Sequence, residues 1–203
     1  MKACRTLAKA VGVACLAVLC VTGCLGRTSP PVDFYTLSPL PRTEGGAAPG
    51  AGSAVAVGAV MLPSALDRPQ IVTRTSDNQV GFSEYHRWAG TLKDDVTRVL
   101  IENLSILVKG SGRTVLSADA AVNPAYRLAV TVNQFDGRLG DKVWLKAVWA
   151  IRDLKANQMI AVRNAVIDQP VAASDYAALV AAQSRALEAL SREIAAEIEK
   201  LPR

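Results

Sequence analysis

Two segments of the chain carry hydrophobic residues every three or four positions, which is the spacing of one face of an α-helix. The first runs from residue 90 to 108, and its apolar positions are Leu92, Val96, Val99, Leu100, Leu104 and Leu107. The second runs from residue 174 to 200, and its apolar stripe is Leu179, Leu187, Leu190, Ile194, Ile198 and Leu201. Charged residues occupy the opposite positions, so the pattern predicts two amphipathic helices.

The remaining hydrophobic residues follow the shorter periods of β-strands. Apolar and polar residues alternate over 126–135 and 143–152, as in strands with one buried face. Residues 54–61, AVAVGAVM, form a continuous small and β-branched run that predicts a central strand buried on both faces. Shorter strands are predicted at 33–37, 70–75, 79–85, 113–116 and 159–167. The order predicts an α+β fold: a mixed or antiparallel sheet of about eight strands with two helices packed on one face.

A single domain, residues 33–203, accounts for this pattern. Residues 39–53 (PLPRTEGGAAPGAGS) contain seven Pro or Gly in fifteen positions and have no apolar period, which predicts a flexible loop. Because strands are predicted on both sides of it, we interpret this loop as an insertion within the domain rather than as a boundary.

The first 23 residues have the features of a secretory signal peptide. Lys2, Arg5 and Lys9 form a positive start, and an uninterrupted apolar or small run follows from residue 10 to 21. At about 12 residues the run is too short for the ~20 that span a bilayer. A buried core helix is the alternative, but it would need a polar face, which this run lacks.

Charge and cysteine content change once this leader is removed. The net charge falls from +5 to about +2, and no basic stripe is interleaved with aromatic residues, so nucleic-acid binding is not expected. Of four cysteines, Cys4, Cys15 and Cys20 lie in the leader, and no cysteine follows Cys24. A secreted domain with one cysteine forms no internal disulfide, so this thiol needs another explanation.

The residues before Cys24, Val21-Thr22-Gly23, resemble the processing box of bacterial lipoproteins. The resemblance implies diacylglyceryl transfer to the Cys24 sulfur, cleavage before it and acylation of the new amino group. Residues 24–32 would then be a lipidated tether, and the alternative is a free N-terminal thiol on a soluble secreted protein. Leu25 follows the cysteine where an Asp would direct inner-membrane retention under the enteric sorting rule, so the resemblance favours the outer membrane.

Residues that could carry chemistry are few. His86 is the only histidine, and no cysteine or carboxylate cluster accompanies it, so no metal site is predicted. Asp94 and Asp95 are adjacent on a helix, where neighbouring side chains diverge by about 100°, and are expected to face solvent. Tryptophans 88, 144 and 149 are expected in the core rather than at a ligand site. Neither a nucleophile elbow nor a phosphate loop occurs in the sequence. We therefore expect no catalytic residue and no bound cofactor, and we expect that the protein is not an enzyme.

Several segments together resemble the ABC-type transport auxiliary lipoproteins. They are FYTL at 34–37, VAVGAVMLPSALDRPQIVTRTSDNQV at 55–80, TLKDDVTRVLIENL at 91–104, QFDGRLGDKVWLKAVW at 134–149 and EIAAEIEKLP at 193–202. They occur in the family's order across nearly all of the mature chain. Membership implies a non-enzymatic envelope component that works with an MCE-domain (mammalian cell entry) protein in lipid transport between membranes.

We expect segment 61–76 to contact this partner. Arg68 and Arg74 flank Pro69, which stiffens the chain for contact at a strand edge, although an ordinary bend between strands explains the same residues. Because MCE assemblies are rings or tubes, a homo-oligomer is a further expectation. Two other functions fit the sequence: a lipid carrier with an acyl chain in its own cavity, and a structural envelope lipoprotein.

Overall fold

The computed structural model describes residues 30–42 and 53–202, and in these residues four strands, a helix, four further strands and a second helix follow one another along the chain. The strands are β1 (Asp33–Tyr35), β2 (Ala54–Met61), β3 (Gln70–Ser76), β4 (Gln79–Trp88), β5 (Thr114–Ser117), β6 (Tyr126–Gly137), β7 (Lys142–Asp153) and β8 (Gln158–Pro170). The helices are α1 (Leu92–Leu107) and α2 (Tyr176–Ile198). The predicted α+β class is confirmed, and residues from Val32 onward belong to one compact unit.

The strands form two sheets, where a single sheet was expected. The large sheet has the order β5-β2-β6-β7-β8, and the small sheet has the order β1-β4-β3. Strand β2 is parallel to both of its neighbours, β5 and β6, so no free edge of β2 is left for β3. Strand β3 instead pairs with β4 as an antiparallel hairpin, and β1 joins β4 in parallel.

The central position of β2 explains its composition. Three successive residues, Val55, Ala56 and Val57, are all buried, although their side chains alternate between the two faces of the sheet. A strand covered on both faces has no position for a polar side chain, so its sequence is apolar without alternation. The predicted burial on both faces is confirmed for these residues.

Both helices pack on one face of the large sheet. Helix α1 contacts β2 and β5, helix α2 contacts β6, β7 and β8, and the two helices contact each other. Each begins at a polar residue that accepts a hydrogen bond from the first turn: Thr91 Oγ1 from the Asp94 N–H at 3.1 Å, and Asp175 Oδ1 from the Ala178 N–H at 2.7 Å. The predicted α2 stripe is buried throughout: Leu179, Leu187, Leu190, Ile194, Ile198 and Leu201.

Residues 36–42, here called the strap, cross the two helices after β1. The Leu37 N–H donates to Asp95 Oδ2 at 2.5 Å, and the Leu40 N–H donates to Asn103 Oδ1 at 2.7 Å. Asn103 is fully buried and also donates to Ser191 Oγ of α2 at 3.2 Å. The loop predicted over 39–53 therefore begins with residues held against the helices, while residues 43–52 lie outside the described part.

The signal peptide and the lipid-attachment residue predicted from the sequence lie outside the described residues, because the described chain begins at Pro30. Within the described chain, no helix combines the length and hydrophobicity needed to cross a membrane.

Candidate docking surface

One face of the small sheet carries the predicted partner-contacting segment. The register pairs Phe34 with Arg87, Gln70 with Arg87, Val72 with Phe82, and Arg74 with Val80. Residues directly opposite one another project from the same side of a sheet, but a register shift between Gln70 and Val72 separates the pairs at Arg87 from those at Phe82 and Val80. The residues on both sides of this irregularity are together called the small-sheet face. It mixes aromatic, aliphatic and cationic side chains.

The most prominent contact on this face is between Arg68 and Phe82. The Arg68 guanidinium carbon lies 4.2 Å from the centroid of the Phe82 ring. Phe82 is 50% exposed. A cation over an aromatic face at an exposed site contributes about 0.5–1 kcal/mol. The neighbouring backbone is held as well, because the Trp88 N–H donates to the Pro69 carbonyl at 2.8 Å. Arg68 is therefore presented in a defined position at the surface.

Glu84 provides a negative charge beside this cation. Its carboxylate accepts hydrogen bonds from Gln70 Nε2 at 3.2 Å and from Arg87 Nη2 at 2.9 Å. These hydrogen bonds, first from Gln70 and then from Arg87, lower the pKa of Glu84. The carboxylate is thus ionised at neutral pH, and the small-sheet face carries alternating charges rather than a uniformly basic patch.

Arg74 has a different role from Arg68, because it joins the two sheets. Its Nη2 lies 2.6 Å from Asp136 Oδ2 on β6, and its Nη1 donates to the Asp77 carbonyl at 2.8 Å. Asp136 also accepts from Gln134 Nε2 at 2.8 Å, and its side chain is only 7% exposed. The hydrogen bond to Asp136 raises the pKa of Arg74. The charge of Arg74 is therefore balanced within the domain.

Two open clefts meet at Arg74. The first, of about 220 Å³, is lined mainly by apolar residues that include Leu66, Val72 and Val80. The second, of about 270 Å³, is lined by polar and aromatic residues that include Trp144 and Lys146. Both fall below the ~300 Å³ at which ligand pockets in proteins begin. Neither cleft has the enclosed apolar volume that a whole acyl chain requires.

The aromatic and histidine residues noted in the sequence have mostly structural positions. Trp88 and Trp149 are buried as expected, whereas Trp144 is half-buried, with Arg138 and Lys142 5.8 and 5.4 Å from its ring centroid.

His86 connects the small sheet to α2. Its Nδ1 lies 3.0 Å from Tyr35 Oη of β1, and its ring stacks on Tyr176 of α2 with centroids 4.0 Å apart. Over residues 30–42 and 53–202, no group of three or more His, Cys, Asp and Glu side chains is arranged to hold a metal ion.

The prediction that Asp94 and Asp95 both face solvent is wrong for Asp95. Its carboxylate accepts from Thr36 Oγ1 at 3.0 Å and from the Leu37 N–H at 2.5 Å, and it forms an ion pair with Arg98 at 2.5 Å. Asp95 therefore fastens the strap to α1. Nothing in the local sequence indicates this role, because the residues it binds lie nearly sixty positions earlier in the chain.

The described surface belongs to a chain that matches a known family over most of its length. Residues 35–195 match the family model described as ABC-type transport auxiliary lipoprotein component. No curated protein matches the chain.

Solved structures support the fold. A crystal structure of an uncharacterized protein is 24% identical, with a TM-score of 0.71 over 83% of this chain and 99% of that chain. A Xanthomonas campestris protein of the DUF330 family is 18% identical, with a TM-score of 0.65 over 82% of this chain and 94% of that one. The PelC dodecamer from Paraburkholderia phytofirmans is 11% identical over 78% of this chain and 93% of that one; its TM-score of 0.42 is too low to bear on how this chain assembles.

Proposed function

The chain belongs to the family of ABC-type transport auxiliary lipoprotein components, and we propose that it docks onto the periplasmic end of an MCE-domain assembly. In this role it is anchored through acylated Cys24 to the outer membrane and performs no chemistry itself. The transport system it serves moves lipid between the two membranes. Family membership supports the auxiliary and non-catalytic part of this proposal.

The single observation that carries the docking role is the Arg68–Phe82 pair. Arginine and aromatic residues are enriched in the parts of protein interfaces that contribute most to affinity. Here the two side chains are already in contact at 4.2 Å on the surface. Side chains held in place before binding lose less conformational entropy when a partner covers them. Pro69 contributes by restricting the backbone next to Arg68, and Arg74 contributes by fixing the hairpin through Asp136.

Two alternative functions remain from the sequence. A lipid carrier needs an apolar cavity for an acyl chain, and the clefts beside Arg74 are smaller and open. A structural envelope lipoprotein needs no defined partner surface, whereas this chain presents an ordered cation–aromatic pair. If the partner is a ring, several copies of the chain would dock around it, and self-association of those copies is part of the proposal.

Capture of the MCE-domain protein encoded beside this chain tests the proposal. Lipidated protein in detergent should bind it, and Arg68→Ala or Phe82→Ser should weaken binding at least tenfold, which corresponds to about 1.4 kcal/mol. Arg192→Ala is the matched control, because Arg192 is an exposed residue of α2 that forms an ion pair with Glu188 one turn earlier. The control should bind like the unmodified protein.

Two outcomes would contradict the proposal at different levels. Failure of the unmodified lipidated protein to bind would remove the docking function and favour the lipid carrier. Equal loss of binding in the Arg68 and Arg192 variants would keep the function but reject this surface.

The anchor is tested separately. Cys24→Ala should abolish incorporation of a metabolic fatty-acid label, since it removes the sulfur that receives the diacylglyceryl group. Label that persists on this variant would show that the chain is acylated elsewhere.

A further inference from the structure

A group of exposed apolar residues lies where the described chain begins. Val32 is 40% exposed and Phe34 is 65% exposed, and they are two residues apart in extended chain, so they project to the same side. The neighbouring strand β4 exposes Tyr85 at 43% and places Arg87 directly opposite Phe34. Single exposed apolar residues are ordinary, but a cluster with a cation beside it indicates a contact surface.

The direction of this cluster is fixed relative to the domain. Strand β1 pairs in parallel with β4, and the Ala89 N–H donates to the Tyr35 carbonyl at 2.8 Å. The Tyr35 hydroxyl contacts His86, whose ring in turn stacks on Tyr176 of α2. On the other side of β1, the strap is held to α1 through Asp95. These contacts hold β1, and Phe34 on it, in one position relative to both helices.

Chain length keeps the same cluster close to the anchor. Phe34 lies ten positions after Cys24 in the sequence. A chain of this length spans at most about 35 Å when fully extended. Val32 and Phe34 are thus the exposed large apolar residues of the described chain that are nearest in sequence to the proposed acylation site.

We propose that Val32, Phe34, Tyr85 and Arg87 form a membrane-contact patch that lies in the phospholipid headgroup layer of the membrane holding the anchor. This rests on the proposed acylation of Cys24. Aromatic side chains favour the boundary between headgroups and acyl chains. Arg87 is paired with Glu84 through Nη2 at 2.9 Å, and the rest of its guanidinium would donate to lipid phosphates. A lipid anchor combined with a second contact of this kind fixes orientation, whereas a lipid anchor alone lets the domain rotate on its tether.

The patch adjoins the proposed docking pair on the small-sheet face. Along β4, Phe82 lies three residues before Tyr85 and five before Arg87, which corresponds to roughly 10 and 16 Å at ~3.3 Å per residue. With Phe34 in the headgroups, the Arg68–Phe82 pair remains outside them. One strand would thus contact the membrane at one end and the protein partner at the other.

The absence of any cysteine after Cys24 makes the patch directly measurable. Acylation uses the Cys24 thiol, so a cysteine introduced by Phe34→Cys or Tyr85→Cys is the only site for an NBD fluorophore. The lipidated, full mature chain is reconstituted into vesicles of phosphatidylethanolamine and phosphatidylglycerol, with or without headgroup-labelled nitroxide lipid. Val166→Cys is the matched control, because Val166 is 70% exposed on β8 of the large sheet.

We expect NBD at positions 34 and 85 to emit at shorter wavelength and to be quenched by nitroxide lipid at least twofold more than NBD at position 166. Tyr85→Cys keeps Phe34 in place, so it reports on the patch with its main aromatic residue intact. Equal quenching at all three positions overturns the proposal, and so does a blue shift without quenching, because protein rather than lipid would then cover the patch.

Flotation of the unlabelled protein with the vesicles separates this proposal from the one on which it rests. Flotation without quenching at position 34 rejects the membrane-contact patch and leaves the anchor and the docking role intact. Failure to float rejects the anchor, and this inference with it.

Discussion

The helix side and the small-sheet side of the domain differ in what covers their apolar residues. On the helix side, Ile194 of α2 is completely buried and packs among the helices and the large sheet. On the small-sheet side, Phe34 of β1 and Phe82 of β4 are 65% and 50% exposed. Arg68 lies over the Phe82 ring, but within the described residues both rings keep at least half of their surface accessible.

Polar side chains on the two sides also differ in how completely the domain covers them. Asn103 lies between α1 and α2 and is fully buried, and it contacts both the Leu40 N–H and Ser191 Oγ. The Arg68 side chain, in contrast, lies over an aromatic ring at the surface and beside the Glu84 carboxylate. A buried amide with satisfied hydrogen bonds specifies one arrangement of the core. A half-buried cation over a ring at the surface contributes little to folding. Under the proposed function, stability and recognition are thus assigned to different sides of the domain.

The largest effect is expected from disrupting the helix side. Ile194→Ala should lower the free energy of unfolding by about 2–5 kcal/mol, through lost burial and the cavity left behind. Ile194→Asp should be more destabilising still, because an unpaired carboxylate would be placed in the core. Thermal melting of residues 32–203 measures both.

Val166→Asp is the control for this prediction, since Val166 is an exposed aliphatic residue on β8. Its melting temperature should stay close to that of the unmodified domain. A melting temperature unchanged by Ile194→Asp would show that this face of α2 is not core.

A second, smaller effect is expected where the two sides join. Arg74→Ala removes the ion pair at 2.6 Å and leaves Asp136, 7% exposed, without its cation. An almost buried carboxylate that loses its partner costs about 1–3 kcal/mol. Arg74→Lys should recover part of the lost stability, because lysine restores the positive charge beside Asp136 but not the hydrogen bond to the Asp77 carbonyl. Urea unfolding measures the series, and equal stability of all three proteins would contradict the role of Arg74 as a link between sheets.

A third effect concerns the strap. Asn103→Leu keeps the volume but leaves the Leu40 N–H and Ser191 Oγ without this partner, so we expect a loss of about 1–3 kcal/mol. Amide hydrogen exchange at Leu40 should also become faster, because its acceptor is gone. Exchange at Leu40 that matches the unmodified protein would show that the strap is held by its other contacts, such as Asp95.

The structural features predicted correctly from the sequence are those that depend on residues close together in the chain. Helical spacing located α1 and α2 because each repeats its apolar positions within a few residues, and the continuous run at β2 predicted burial on both faces. The sequence did not predict the division into two sheets, since that depends on β5 and β6 occupying both edges of β2. Pairing partners far apart in the chain leave no local pattern.

The candidate site was predictable to a similar extent. Arg68, Pro69 and Arg74 were selected from segment 61–76 for their charge and stiffness, and the structure places them on or beside the small-sheet face. Sequence alone did not distinguish Arg68, which lies over Phe82, from Arg74, whose partner Asp136 lies 62 residues later. Phe34 and Phe82 are residue types common in protein cores, and only the structure shows that they stay at least half exposed.

The smallest effect on folding is expected at the membrane-contact patch. Phe34→Ser replaces a ring that is 65% exposed, so the free energy of unfolding should change by no more than about 0.5 kcal/mol. Its effect should instead concern orientation: the lipidated variant should still float with vesicles, while NBD at position 85 loses at least half of its quenching by nitroxide lipid. Phe82→Ser removes a ring that is 50% exposed and lies on β4 before Tyr85. This substitution should leave the quenching at position 85 unchanged and reduce capture of the MCE-domain protein. If both substitutions lowered quenching and capture together, the small sheet would act as one surface, and the separation of a membrane end from a partner end would be wrong.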